Sequence, residues 1–257
     1  MKKIIDLYYS TLTESVEGDP YLSEIAHKFP SHSVLQNSIQ LVAHRQILFF
    51  KQVLMEYFNK SIENIDVLDW GCGKGHISYL LKKNGYNIIS CDIVSKKLDS
   101  AFGQDTPIIE QQSINVTPLK HHCILPFNDA SFDCVFSFGV LEHVQDDLAS
   151  LQEIKRVLRK DGVLIVLYLP YALSWTQNLA HLRKIYYHDR LYSIKHTQNL
   201  AQLSGFDIVE YKLAQLFPKN SVPLFLDKYL EPLDRFLCKY TPLKYFATNL
   251  ELVMVKK

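Results

Sequence analysis

Apolar and polar positions along this chain follow two rhythms. Ile39, Val42, Ile47, Phe50, Val53, Leu54, Tyr57 and Phe58 recur at helical spacing, which places them on one face of a helix. Residues 1 to about 60 read as helical. Beyond them, short apolar runs alternate with helical patterns. The runs at 66–70, 87–92, 107–113, 133–138 and 162–169 predict strands, and 74–84, 94–102 and 146–159 predict helices. The helix over 146–159 carries Leu148, Leu151, Ile154, Val157 and Leu158 on one side. Asp146 and Asp147 suit its N-terminal end, and Lys155, Arg156, Arg159 and Lys160 suit its C-terminal end. Asp161-Gly162 turns the chain into the next strand. A helix at 195–204 closes at Ser204-Gly205, and strands follow at 206–213 and 250–255. This alternation predicts an α/β fold, a parallel sheet with helices on both faces.

Two stretches interrupt the alternation. Residues 171–194 are rich in aromatic, histidine and polar groups. Residues 218–247 hold Pro218, Pro223, Pro232 and Pro242 among Phe225, Tyr229, Phe236, Tyr240, Tyr245 and Phe246. The prolines predict short helices packed as a lid or an extra layer. The plan is therefore a helical cap over 1–60 and a main domain over 61–257, with inserts at 171–194 and 218–247.

Composition narrows the function classes. A chain of 257 residues with 47% hydrophobic content suits one domain with additions. Its formal net charge of +1 argues against nucleic-acid binding through a broad basic face, and no N-P-P-Y or D-P-P-Y motif is present. Cys72, Cys91, Cys123, Cys134 and Cys238 form no C-x-x-C pair, so neither zinc nor a disulfide framework is supported. Asp6 interrupts the first apolar run, so no signal peptide is expected. The longest apolar stretch, Val163 to Leu169, is too short to span a bilayer. A cytoplasmic protein with reduced thiols is the expectation; oligomeric state is not legible.

The densest chemical signal is Val67-Leu68-Asp69-Trp70-Gly71-Cys72-Gly73-Lys74-Gly75-His76. A short apolar strand runs into a glycine-rich turn that opens a helix. The next strand, Ile88-Ile89-Ser90-Cys91, ends in Asp92. Side chains at Gly71, Gly73 or Gly75 would block close approach of a ligand to the backbone. The dinucleotide fingerprint G-x-G-x-x-G does not fit, because His76 stands at its third glycine. The pattern is D-x-G-x-G-x-G, and an acid beside the glycines serves a cationic ligand with an amino group better than a pyrophosphate.

The segment from Val67 to Gly75 resembles the first motif of class I S-adenosylmethionine-dependent methyltransferases, of the small-molecule, type 11 kind. The resemblance continues through Leu125-Pro126-Phe127-Asn128-Asp129-Ala130-Ser131-Phe132-Asp133, Val140-Leu141-Glu142-His143-Val144 and Arg156-Val157-Leu158-Arg159-Lys160-Asp161-Gly162. These are four ordered signals over residues 60 to 170. The resemblance implies a Rossmann-like seven-stranded sheet in the order 3-2-1-4-5-7-6, with N-terminal helices and a helical insert before the last strand. It implies S-adenosylmethionine as cofactor, held by Asp69, Gly71, Cys72, Gly73, Gly75, Asp92, Ile93 and Phe138. Asp92 would accept from the ribose hydroxyls; its other reading is a cap for the helix at 94–102. His121 and His122 stand where relatives have an acid near adenine.

Catalysis is less legible. His143 is a candidate general base for an acceptor hydroxyl, or a residue that caps or packs beneath the site. His188, in His188-Asp189-Arg190-Leu191-Tyr192-Ser193, is the second candidate, or a loop histidine bonded to Asp189. Quinone-pathway O-methyltransferases show E-x-x-E-H here and bind a divalent ion. Gly139 takes the place of their first acid, so no metal is expected. The reading is methyl transfer to a small-molecule acceptor, with oxygen favoured. The alternatives are a non-catalytic binding subunit of the same fold and a nucleotide-dependent oxidoreductase.

Overall fold

A computed structural model describes residues 16–29, 35, 38–93, 106–121, 123–185, 188, 190–219 and 222–257. The helix expected at 94–102 lies outside the described residues, as do His122, Tyr186, Tyr187 and Asp189. The chain divides into two compact units, 1–120 with 219–225, and 121–218 with 226–257.

In the first unit, α1 (Pro20–Lys28) starts with Pro20 in its first turn and Asp19 as its cap. The Asp19 carboxylate accepts from the Leu22 amide at 3.0 Å and from Lys83 Nζ at 2.6 Å. α2 (Ile39–Phe58) buries Val42, Ile47, Phe50, Val53 and Leu54, as its periodicity predicts. Asn59, in the left-handed region, ends it. Then come β1 (Asp66–Trp70), α3 (His76–Lys83), β2 (Asn87–Ile93), α4 (Pro107–Gln111) and β3 (Val116–Leu119). β1 and β2 run parallel, with Asp69 opposite Ser90 and Trp70 opposite Cys91. β2 and β3 are parallel too. Tyr86 donates to the Ile47 carbonyl at 2.7 Å and Lys51 to that of Asn84 at 2.7 Å, fastening α2 to the turn before β2.

The strand expected at 107–113 is a helix, and the strand lies at Val116–Leu119. Pro107 explains the correction. It lacks an amide hydrogen and fixes φ, which suits the first turn of a helix. The β-branched pair Ile108-Ile109 imitates a strand in sequence, yet Ile108 is fully buried from a helical turn.

In the second unit, β4 (Phe132–Phe138) is buried over all but its last residue. It runs parallel to β5 (Leu158–Pro170). Between them, α5 (Asp147–Val157) is capped by Asp146, whose carboxylate accepts from the Ala149 amide at 2.9 Å. α6 (Trp175–Leu182) and α7 (Ile194–Ser204) are capped by Ser174 and Ser193, and Gly205 ends α7 at φ +79°. β6 (Phe206–Ala214) pairs antiparallel with the last strand, β7 (Asn249–Lys256), which also pairs antiparallel with β5. β5 begins four residues before the expected position, because the chain passes from α5 straight into extended backbone at Leu158. α8 (Leu224–Tyr240) is one helix of 17 residues that accommodates Pro232, rather than the expected series of short helices. Asp234 secures it, accepting from the Leu216 amide at 2.8 Å. The strand order is β3-β2-β1-β4-β5-β7-β6, as the resemblance implies. Among the described residues, no helix is long and apolar enough to cross a membrane.

Arg156 holds the Leu125–Asp129 segment. Its guanidinium donates to the carbonyls of Phe127 at 2.8 Å and Leu125 at 2.9 Å, and to Asp129 and Glu153 at 2.6 and 2.5 Å. Removing a charged donor leaves those carbonyls without their partner. Arg156→Met should cost about 2–3 kcal/mol in urea denaturation; a loss under about 0.5 kcal/mol, the size of an ordinary surface change, would refute the clamp.

Candidate functional site

In the first unit the chain leaves β1 through a turn at Gly71–Gly75. Gly71, Gly73 and Gly75 have φ of +78°, +50° and +84°, a region that penalises any Cβ. At Gly75 a Cβ would also stand 2.6 Å from Ile109 Cγ1. The end of β2 grips the turn. The Cys91 carbonyl accepts from the amides of Gly71 at 2.9 Å and Cys72 at 3.1 Å. Asp92 Oδ2 accepts from the Gly73 amide at 2.5 Å, and Oδ1 from that of Ile93 at 2.6 Å. No side chain caps α3 at Gly75. Its first amides and the positive end of its dipole suit an anionic group such as an amino-acid carboxylate.

Asp69, expected at the cofactor, is buried. Its Oδ2 accepts from Ser78 Oγ at 2.5 Å, and Ser90 Oγ donates to Ser78 Oγ at 2.9 Å. Burial pushes Asp69 up to about 7; Ser78 opposes the rise and the nearby Asp92 charge adds to it. Cys72 is buried as well, and burial pushes its thiol far up, with Asp69 and Asp92 adding. Its backbone is what it offers a ligand. Ile93 and Asp92 are half-buried at the end of β2. A carboxylate accepts up to about four hydrogen bonds, so Asp92 suits a diol as well as the loop. His121 is exposed.

In the second unit, Phe138 ends β4. Its ring stacks on Phe136 at 5.8 Å and tilts against Tyr168 at 5.7 Å. Gly139 follows at φ +64°. Tyr168 has φ +62°, where the β5–β7 register shifts between Val166 and Leu169. Left-handed backbone at an aromatic residue is strained, and such strain concentrates at functional sites.

Four residues past Phe138 lies Glu142, with a side chain 2% exposed. Its Oε1 stands 3.9 Å from His143 Nε2 and 3.9 Å from His188 Nδ1. Its Oε2 has no hydrogen-bond partner among the described residues. Burial pushes the carboxyl up to about 7, against its own backbone amide. The two imidazoles lie 5.6 Å apart. Tyr192 is anchored beside this site, because its buried hydroxyl donates to the Leu141 carbonyl at 3.1 Å. Arg190 faces Asp147 at 3.5 Å. One ligand atom from each of Glu142, His143 and His188 lies within 4.8 Å of the others, a spacing that suits a shared ion.

The structure thus brings both candidate bases together around a carboxylate that sequence reading did not cast as their partner. The Glu142-His143 pair was visible, but nothing in the sequence ties it to His188. The strain at Tyr168 has no sequence signal either.

A methyltransferase-domain family model matches residues 68–166. An uncharacterized protein of Methanocaldococcus jannaschii, MJ0638, is 33% identical over 202 residues, which are 75% of this chain and 80% of that one. A ubiquinone biosynthesis O-methyltransferase of Rickettsia bellii is 28% identical over 105 residues, which are 41% of this chain and 42% of that one. A Thermotoga maritima crystal structure, described as a SAM-dependent methyltransferase and possible histamine N-methyltransferase, has the same fold. Its TM-score is 0.53 at 17% identity, covering 91% of this chain and 99% of that one. The names of the matched methyltransferases point to more than one class of acceptor.

Gly75→Val should weaken S-adenosylmethionine binding at least tenfold in calorimetry, with the far-ultraviolet dichroism unchanged; wild-type affinity would contradict the loop assignment. Glu142 binds its proton more tightly folded than unfolded. Its stabilising contribution is therefore full below pH 4.5 and is lost as pH rises to about 7. That rise is worth roughly 3 kcal/mol. Glu142→Gln should accordingly raise Tm at pH 8 and leave it nearly unchanged at pH 4.5. A fall in Tm at pH 8 would mean that the carboxylate is held by a stabilising partner.

Proposed function

The chain belongs to the class I S-adenosylmethionine-dependent methyltransferases, and from that premise we propose that it methylates a hydroxyl group of a small organic acceptor. The observation that carries this reading is the buried Glu142 carboxylate placed 3.9 Å from both His143 and His188. Bound S-adenosylmethionine supplies a methyl group already activated on a sulfonium centre, so the protein's task is placement and proton handling.

The first unit's loop is the proposed cofactor holder. The backbone at Gly71, Cys72, Gly73 and Gly75 and the start of α3 take the amino-acid end. Asp92 takes the ribose, and Ile93 offers an apolar contact to adenine. Asp69 acts beneath the loop, fixing α3 through Ser78. In the second unit, Phe138 and Tyr168 form an aromatic wall suited to an organic acceptor.

A hydroxyl is a poor nucleophile until its proton is drawn off. His188 is the proposed base. Its Nδ1 lies 3.9 Å from Glu142 Oε1, close enough for the carboxylate's charge to favour the imidazolium that forms when it takes the acceptor proton. His143, 61% exposed, is the lesser candidate. The net charge of +1 supports a small acceptor over a nucleic acid. A second reading rests on the spacing of the same three side chains, which suits a divalent ion that would bind acceptor oxygens.

The test is transfer of labelled methyl from S-adenosylmethionine to a panel of phenols, catechols and amines, with and without chelator. Hydroxyl acceptors should be methylated. His188→Ala should lower kcat about 100-fold or more, His143→Ala far less, and chelation should have no effect. Loss of activity on chelation would favour the metal reading. Turnover of amines alone, unaffected by His188→Ala, would overturn the oxygen assignment. No turnover of any acceptor would favour the non-catalytic alternative.

A further inference from the structure

Helix α8 is amphipathic in the inverted sense. Its buried side chains are Asp227, Asp234 and Cys238, which share one face. The outward stripe is Tyr229, Leu233, Phe236 and Tyr240, with the two tyrosines 65% and 64% exposed. The turn that follows adds Leu243, Tyr245 and Phe246, all exposed. Single exposed apolar residues are ordinary, but a continuous stripe of them marks an interaction surface.

The charges are sorted as well. The acids face inward, with Asp234 accepting from the amides of Leu216 and Phe217 at 2.8 and 3.3 Å. The lysines lie against the outward rings. Lys228 Nζ is 4.9 Å from the Tyr229 ring centroid, Lys239 is 5.0 Å from that of Tyr240, and Lys244 is 5.4 Å from that of Tyr245. Aromatic rings with hydroxyl tips, flanked by ammonium groups on long apolar stems, suit a boundary between hydrocarbon and anionic headgroups.

We propose that α8 from Lys228 onward, with the turn to Phe246, docks on an anionic phospholipid surface. The rings enter the headgroup layer, and Lys228, Lys239 and Lys244 meet lipid phosphates. Charge selects this occupant over a second copy of the chain. A two-fold contact through the same face would gather six lysines into one interface, whereas an anionic bilayer attracts every one. The helix lies on the surface, since among the described residues no helix is long and apolar enough to cross a membrane. This inference does not rest on the methyl-transfer reading, because lipid binding is measured without cofactor or acceptor.

The experiment is co-sedimentation of the whole chain with vesicles of mixed phosphatidylglycerol and phosphatidylcholine, and with phosphatidylcholine alone. Binding should favour the anionic vesicles and weaken at high salt. Each of Lys228→Glu, Lys239→Glu and Lys244→Glu should lower vesicle affinity about fivefold or more. Phe236→Ser with Tyr240→Ser should abolish binding without lowering Tm, which separates a lost surface from a lost fold. Three results would overturn the proposal. One is wild-type protein that stays in the supernatant with anionic vesicles. Another is variants that bind as well as wild type. The third is a lipid-indifferent dimer that Phe236→Ser with Tyr240→Ser converts to monomer, which would assign the face to a second copy.

Discussion

The grip of β2 on the loop leaving β1 is the constraint on which the rest depends. One carbonyl, that of Cys91, accepts both the Gly71 and Cys72 amides. The next residue, Asp92, takes the Gly73 amide with its side chain. These bonds require the β1–β2 register that sets Trp70 opposite Cys91. They also force left-handed backbone at three loop positions, which only glycine adopts cheaply. Asp69, Ser78 and Ser90 tie the same loop to α3 and β2 from below. The loop is therefore shaped before any ligand arrives, and such pre-organisation lowers the cost of binding.

Burial without a full set of partners is the cost of the second unit's cluster. Glu142 lies inside the protein with one oxygen lacking a hydrogen-bond partner among the described residues, and its carboxyl is pushed up to about 7. A structure selected for stability alone would place an amide or an apolar side chain there. The strained backbone at Tyr168 has the same character. Both features lie in the unit that carries the proposed base, where sites trade stability for chemistry.

Much of the fold was legible because its strands are short apolar runs with strong turn signals. Asp66–Trp70, Asn87–Ile93 and Phe132–Phe138 lie within one residue of their expected positions. The misreadings have local causes. Ile108-Ile109 carries strand propensity, but Pro107 starts a helix turn. Pro232 reads as a break, but α8 continues through it with Asp234 fastened to neighbouring amides. The candidate site divides in the same way. The glycine loop and Asp92 are local and readable. The meeting of Glu142 with His188, beside the Tyr192–Leu141 hydrogen bond, is a tertiary contact that no spacing encodes. The inverted faces of α8 are equally silent, since a list of aromatics and prolines does not say which side is outward.

The most direct measurement is calorimetric titration of S-adenosylmethionine and S-adenosylhomocysteine into wild-type protein and into Asp92→Ala. Asp92 is proposed to serve the loop and the ribose together, so losing a charged acceptor should weaken both ligands at least tenfold. Micromolar binding to wild type, weakened by that much, is the predicted result. Equal binding to both proteins would contradict the account, because the cofactor would then lie away from the loop that β2 holds.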